Sequence, residues 1–171
     1  MNSEGSVLIV DDDIVLCDLL RESFTMSGSA CKAVHNGEAA LELMGREWFD
    51  FMITDVVMPG MSGFELTAQV KESHPGTEVI MMTGFSQEDS YQKALAAGAA
   101  DFIVKPFTIA ELLARVERVK QNAHTLEEIK KREHAIVDMS REMIASIQDD
   151  ARNTRKTLEQ EIARLKKTLP E

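Results

Sequence analysis

Phe51-Met52-Ile53-Thr54-Asp55-Val56-Val57-Met58-Pro59 is the stretch whose reading decides the fold. Phe51 to Thr54 form a short apolar run of β-formers, the pattern of a buried strand. Asp55 stands where that strand ends, and Pro59-Gly60 turn the chain directly after it. Packing gives no reason for an acid there. The carboxyl end of a central strand is, however, where open α/β sheets place their ligand sites.

Working outward, the same pattern recurs. Val7-Leu-Ile-Val10 is a continuous apolar run suited to a strand covered on both faces, and it ends in Asp11, Asp12 and Asp13. Ile14, Leu16, Leu19, Leu20 and Phe24 then predict a helix stopped by Gly28. Residues 30–34 read as a second strand. Asn36 reads as the N-cap of a helix through Met44, closed by Gly45. Ser62-Gly63 opens a helix to about Ser73, and Val79 to Met82 form a fourth strand ending at Thr83. Ser86 with Asp89 resembles a capping box for a helix running to Gly98. Residues 102–104 form a fifth strand ending at Lys105-Pro106, and Thr108-x-x-Glu111 caps a fifth helix. Strands alternating with helices imply a doubly wound, mostly parallel α/β sheet with right-handed crossovers.

Near residue 107 the composition changes. All nine Gly lie at or before Gly98, and no aromatic residue follows Phe107. Leu112, Val116, Val119, Ala123 and Leu126 are spaced four, three, four and three. Ile129, Ile136, Met143 and Ile147 continue the stripe with gaps at Glu133 and Ser140, and Leu158, Ile162, Leu165 and Leu169 repeat the spacing in an offset phase. This predicts a long coiled-coil-like helical extension with a stutter near residues 149–154, or a break there that makes a helical hairpin. The expected division is a 1–120 domain and a 121–171 helical extension without a DNA-binding domain.

The 171 residues carry a net charge of −10, unevenly spread. Residues 1–119 hold 8 Lys/Arg against 19 Asp/Glu, whereas residues 120–171 hold 11 against 10. Neither part has the basic patch of a nucleic-acid binder. No run of about 18 apolar residues suggests a membrane span, and no signal peptide is evident. Cys17 and Cys31 lack metal-ligand spacing and are expected to be buried reduced thiols of a cytoplasmic protein. Neither G-x-G-x-x-G nor G-x-x-x-x-G-K-[ST] occurs, which disfavours a nucleotide or flavin binder.

In a parallel sheet the carboxyl ends of the strands share one edge. That edge gathers Asp11, Asp12, Asp55, Thr83 and Lys105. Clustered carboxylates repel one another unless a cation intervenes, and hard oxygen ligands suit Mg²⁺. Such a cation would neutralise a transferring phosphoryl group, Thr83 and Lys105 would bind its oxygens, and Asp55 would supply the attacking oxygen.

Val10-Asp-Asp12, Thr54-Asp-Val-Val-Met-Pro59, Met82-Thr-Gly84 and Val104-Lys-Pro-Phe107 together resemble the receiver domain of bacterial two-component response regulators. The resemblance covers about residues 5–120. It implies a flavodoxin-like strand order 2-1-3-4-5 and Asp55 as phosphoacceptor. It implies Asp12 as direct Mg²⁺ ligand, Asp11 acting largely through water, and the Val57 backbone carbonyl as a further ligand. Thr83 and Phe102 match the switch residues, and Lys105 matches the phosphate-pairing lysine, its bond to Pro106 usually cis. The side chains of Val57 and Phe85 match positions that tune dephosphorylation; both are apolar, so slow self-dephosphorylation is expected. The implied partner is a sensor histidine kinase or phosphotransfer protein, with the chain a signalling phosphoacceptor rather than an enzyme. The surface of helix four, strand five and helix five would carry the output to the helical tail or to a partner protein.

A haloacid-dehalogenase-like phosphohydrolase needs an Asp-x-Asp pair after its first strand, and Asp55-Val-Val57 lacks the second acid. A phosphoryl relay or docking module with a passive tail is the other alternative. For the tail, a homodimer is preferred over a docking helix or a linker, with the helix-four–strand-five–helix-five face as a second place where two copies could meet. Asp13 reads as a helix cap, His35 and His74 as solvated loop residues, His124 and His134 as tail-helix residues on different faces and so not a ligand pair, and Trp48, Met81 and Met82 as core residues.

Overall fold

The structure, a computed structural model, describes residues 5–84 and 88–168. Five parallel strands, β1 (Ser6–Val10), β2 (Ala30–Val34), β3 (Phe51–Asp55), β4 (Glu78–Thr83) and β5 (Asp101–Val104), lie in the order β2-β1-β3-β4-β5. The helices are α1 (Ile14–Met26), α2 (Gly37–Met44), α3 (Gly63–Ser73), α4 (Glu88–Ala96) and α5 (Ile109–Thr168). This is the doubly wound, flavodoxin-like order expected from the sequence.

Side chains alternate across a strand, so each central strand feeds two cores. Val7 and Ile9 of β1, Ile53 of β3 and Ile80 and Met82 of β4 pack with Cys17, Leu20 and Phe24 of α1 and Leu112 and Val119 of α5. Leu8, Val10, Met52 and Val79 point the other way, onto Ala40 and Met44 of α2 and Leu66 and Val70 of α3. A smaller group, Val56, Met81, Ala94 and Ala99, extends the core to the α4–β5 side. Burial on both faces is why these strands read as unbroken apolar runs.

Several expectations need correction. On α1 the buried stripe is Cys17, Leu20 and Phe24, while Ile14 and Leu19 face solvent. Trp48 is not a core residue: it is 56% exposed and lies over the His74 ring, centroids 6.1 Å apart. His74 is correspondingly not simply solvated, because its Nε2 lies 3.1 Å from the Met44 carbonyl oxygen and ties α3 to the end of α2. Cys17 is buried and Cys31 half-buried; both are free thiols, pushed by burial to about 11 and about 12. Met81 and Met82 are fully buried, as expected. The Ser86 cap and Phe85 lie outside the described residues.

The chain forms two compact units, Met1–Asn122 and Ala123–Glu171. Helix α5 is continuous through residues 149–154, so the break that would make a hairpin does not occur. Its first apolar positions, Leu112 and Val119, with Val116 partly buried, are used inside the first unit against the sheet. They are therefore not coiled-coil positions, although their spacing is the same.

Helix starts follow local chemistry. Asn36 caps α2 by accepting from Ala39 N at 2.8 Å, and Gly28 takes φ 93°, which ends α1. Ser62 and Glu65 form a reciprocal capping box on α3, and Thr108 and Glu111 form another on α5. The backbone N–H of each cap, followed by its hydroxyl, holds both glutamates below the ordinary 4.5. A lowered folded-state value means stabilisation that is present above 4.5 and lost as pH falls through the folded value. The double variant Glu65→Gln/Glu111→Gln is accordingly expected to lose less stability than the native chain between about pH 6 and pH 3, measured as urea midpoints across that range.

Candidate functional site

The carboxyl edge of the sheet is assembled by backbone bonds that extend beyond the strands. Asp11 N donates to Val34 O at 3.2 Å, Val56 N to Met82 O at 2.8 Å, and Lys105 N to Thr83 O at 2.7 Å. These bonds fix the residues that follow β1, β3 and β5 before any side chain is considered.

The side chains then converge. Lys105 Nζ lies 2.7 Å from Asp11 Oδ2 and 2.8 Å from Asp55 Oδ2, bridging two carboxylates that come from different strands. Asp11 Oδ1 accepts from Asp13 N at 2.9 Å, and Asp55 Oδ1 accepts from Val57 N at 3.3 Å. Asp11 is fully buried and Asp55 is 9% exposed, whereas Asp12 is open to solvent. Buried carboxylates persist only when paired and hydrogen-bonded, and the shared ammonium does this for both. Burial lowers the Lys105 pKa, but hydrogen bonds and charge from Asp11 and Asp55 outweigh it, so the net shift is upward. The lysine therefore stays charged.

Carboxylate oxygens of Asp11, Asp12 and Asp55 lie within 4.8 Å of one another. Three negative groups against one lysine leave a deficit of positive charge. Every donor in the set is a hard oxygen, the chemistry of a small divalent cation that retains water. The residues present thus fit Mg²⁺. Asp13 stands apart from this cluster and caps α1, its Oδ1 accepting from Val15 N at 3.0 Å and Leu16 N at 3.1 Å.

Thr83 ends β4, is 2% exposed, and supplies the carbonyl that anchors Lys105. Phe102 is half-buried against the Val56, Met81, Ala94 and Ala99 group. It also lines a cleft of about 530 Å³ with Pro106, Phe107, Glu111, Arg115 and Arg118, which is separate from the acid cluster. Asp101 on β5 is paired to Arg115 at 3.1 Å and Arg118 at 2.6 Å. The Val57 side chain is 58% exposed. The Lys105–Pro106 bond is cis, as the resemblance implied. His124 and His134 are exposed on α5.

One contributor was missed. Gly63 begins α3 so close to β3 that a Cβ there would lie 2.1 Å from the Asp55 carbonyl oxygen. Its N–H donates to Val56 O at 3.0 Å, clamping the loop that carries Val57. The available signal was a poor helix former placed directly after the Ser62 cap, where a better one costs nothing locally.

Fold and site define the class: a doubly wound receiver-type domain with an acidic, lysine-bridged cleft at the carboxyl edge of its sheet. Residues 7–117 match the family described as response regulator receiver domain, and the chain belongs to that family. It is 39% identical over 114 residues to the response regulator protein FleR of Pseudomonas aeruginosa, and likewise to the DNA-binding transcriptional regulator NtrC of Escherichia coli. Each match covers 67% of this chain, which spans about a quarter (24%) of the length of those relatives. Among solved structures it is similar to the chemotaxis response regulator CheY4 of Vibrio cholerae, with TM-score 0.64 and 32% identity over 67% of this chain and 98% of that one.

A Gly63→Ala substitution is expected to destabilise the receiver unit by about 3 kcal/mol, because the clash is with backbone and not with a side chain that can rotate. Urea unfolding of the full chain checks this.

Proposed function

We propose that Asp55 accepts a phosphoryl group from a phosphohistidine on a sensor kinase or phosphotransfer protein, and that the change alters a partner-binding surface. The observation that carries this reading is the Lys105 ammonium lying between Asp11 and Asp55 beside a third carboxylate. That arrangement pairs an acid at a strand end with an ammonium that can turn to the oxygens of an incoming phosphoryl group.

Asp11, Asp12 and Asp55, with the Val57 carbonyl, would hold Mg²⁺. When bound, the ion supplies charge neutralisation to the transferring phosphoryl group. An Asp55 carboxylate oxygen attacks phosphorus as the P–N bond of the donor breaks, and the ring nitrogen keeps the electron pair and is protonated from water. Lys105 exchanges its bond to Asp55 for one to a phosphoryl oxygen, and the Thr83 hydroxyl binds another. Thr83 and Phe102 then shift between two arrangements, which moves the surface around β5. The chain is a phosphoacceptor assisting its own modification and its slow reversal, not a turnover enzyme.

A protein donor is favoured by the exposed Ile14, Val15 and Leu19 on α1, which begins just beyond Asp11 and Asp12. The DNA binding stated in the name of NtrC belongs to that protein. In this chain the near-neutral balance of residues 120–171 supports a protein partner instead. We assign reception to residues 1–120 and partner contact to the helix beyond. Among the described residues no helix is long and apolar enough to cross a membrane, and we place the protein in the cytoplasm with its kinase.

With a small phosphodonor such as acetyl phosphate and Mg²⁺, the native chain is expected to take up one phosphoryl group. Asp55→Asn should take up none, and Lys105→Met should react about 10²-fold more slowly, as read by intact mass and phosphate-affinity gels. Uptake at another residue in Asp55→Asn would overturn the assignment. The phosphorylated chain should persist for minutes to hours, since the Val57 side chain offers no group to orient an attacking water; a decay within seconds in a gel time course would contradict that account.

A further inference from the structure

We propose that the helix beyond residue 122 is one half of a parallel, in-register seam formed with a second copy of this chain. The stripe it presents is too long and too apolar for an isolated helix. Leu126, Ile129, Ile136, Met143 and Ile147, with Val137 and Ile144 beside them, are between 47% and 64% exposed. Leu158, Ile162 and Leu165 are similarly exposed further along.

At about 100° per residue these ten side chains fall within an arc of about 120°. The step from Ile147 to Leu158 is 11 residues, three full turns to within about 20°. The phase offset read from heptad spacing therefore disappears on a straight helix, and the stripe is one face running from residue 126 to 165.

The size of that face selects its occupant. Forty residues rise about 60 Å, and a strip about 12 Å wide gives roughly 700 Å² per copy. That is close to the roughly 800 Å² per partner of a stable specific interface, and above the apolar patch an ordinary monomer exposes. Away from the stripe the helix is supported by pairs within it, such as Lys131–Glu127 on the polar face, while Arg155–Glu159 pairs along one border of the stripe.

Charge selects the orientation. One flank of the stripe carries Lys130, Arg141, Arg152, Arg155 and Lys166, with His134 and a single acid, Glu159. The opposite flank carries Glu128, Asp150 and Glu161 with Arg132 and Arg164. Antiparallel pairing would set the basic flank against itself, whereas parallel pairing sets it against the more acidic one. In register, the polar interruptions Ser140 and Thr154 meet their own copies, where hydroxyls can bond to one another, while Glu133, the one acid near the middle of the arc, meets its own copy as a local like-charge cost that the apolar positions on either side must offset.

The test is the mass of the full chain by light scattering at micromolar concentration, expected at twice the 19.1 kDa of one chain. Ile144→Glu and, separately, Ile162→Glu should return the monomer while thermal unfolding of the sheet is unchanged. Oxidised Ser140→Cys should give a covalent dimer, and Glu142→Cys, on the opposite face, should not; the native chain controls for Cys17 and Cys31. A monomeric native chain, or a mass of three or four copies, overturns the proposal. So does a dimer that survives both glutamates, since another surface then holds it. A dimer in which Ser140→Cys fails to couple overturns the parallel register.

Discussion

The structure depends on one electrostatic constraint: carboxylates brought to a single edge must be compensated there. Asp11 is fully buried and Asp55 nearly so, and each would be costly alone. Lys105 compensates both at 2.7 and 2.8 Å, and can do so only because β5 ends beside β4 and β4 ends beside β3. The ion pair thus links residues 94 and 50 positions apart in sequence and closes the site across four strands. Among the described residues no buried side-chain polar atom lacks a partner, which is the condition for such a cluster to be tolerated in a core.

The sheet supplies the rigidity that this compensation needs. Covering both faces with helices leaves strand ends as the open part of a parallel sheet, so functional groups gather there by topology. Gly63 shows the tightness required. A Cβ on this residue would lie 2.1 Å from the Asp55 carbonyl oxygen, so the start of α3 can pack against the strand end that carries the acid only as glycine. The position of Asp55 is therefore set by packing from α3 on one side and by Lys105 on the other.

The strands and the acid edge were legible because their signals are local. Apolar runs ending in Asp, Thr or Lys state both the strand and its terminal chemistry, and the caps Asn36, Ser62 and Thr108 announce helix starts. Contacts between elements were not legible. Trp48 is apolar and its sequence context suggests core, yet its place beside the His74 ring depends on where α3 ends. Ile14 and Leu19 fit an amphipathic pattern, but the sheet takes Cys17 instead, since three and four residue steps admit neighbouring stripes on one helix. In one dimension Gly63 shows only a helix opening, because the neighbouring backbone that excludes a Cβ there is brought in by the fold.

The long helix shows the same ambiguity most sharply. Leu112, Val116 and Val119 have the four-three spacing of a coiled coil and spend it on a sheet. From Leu126 onward the spacing persists, and the side chains described from His124 to Lys166 are exposed. Periodicity states that a helix has an apolar face and is silent about what covers it. What separates the two segments is burial: Leu112 and Val119 pack under the sheet, whereas those later side chains are exposed. A stripe of Leu, Ile and Met bordered by Arg, Lys and Glu is shaped to meet another helix, because charged side chains can reach around a narrow seam but cannot be buried under a sheet.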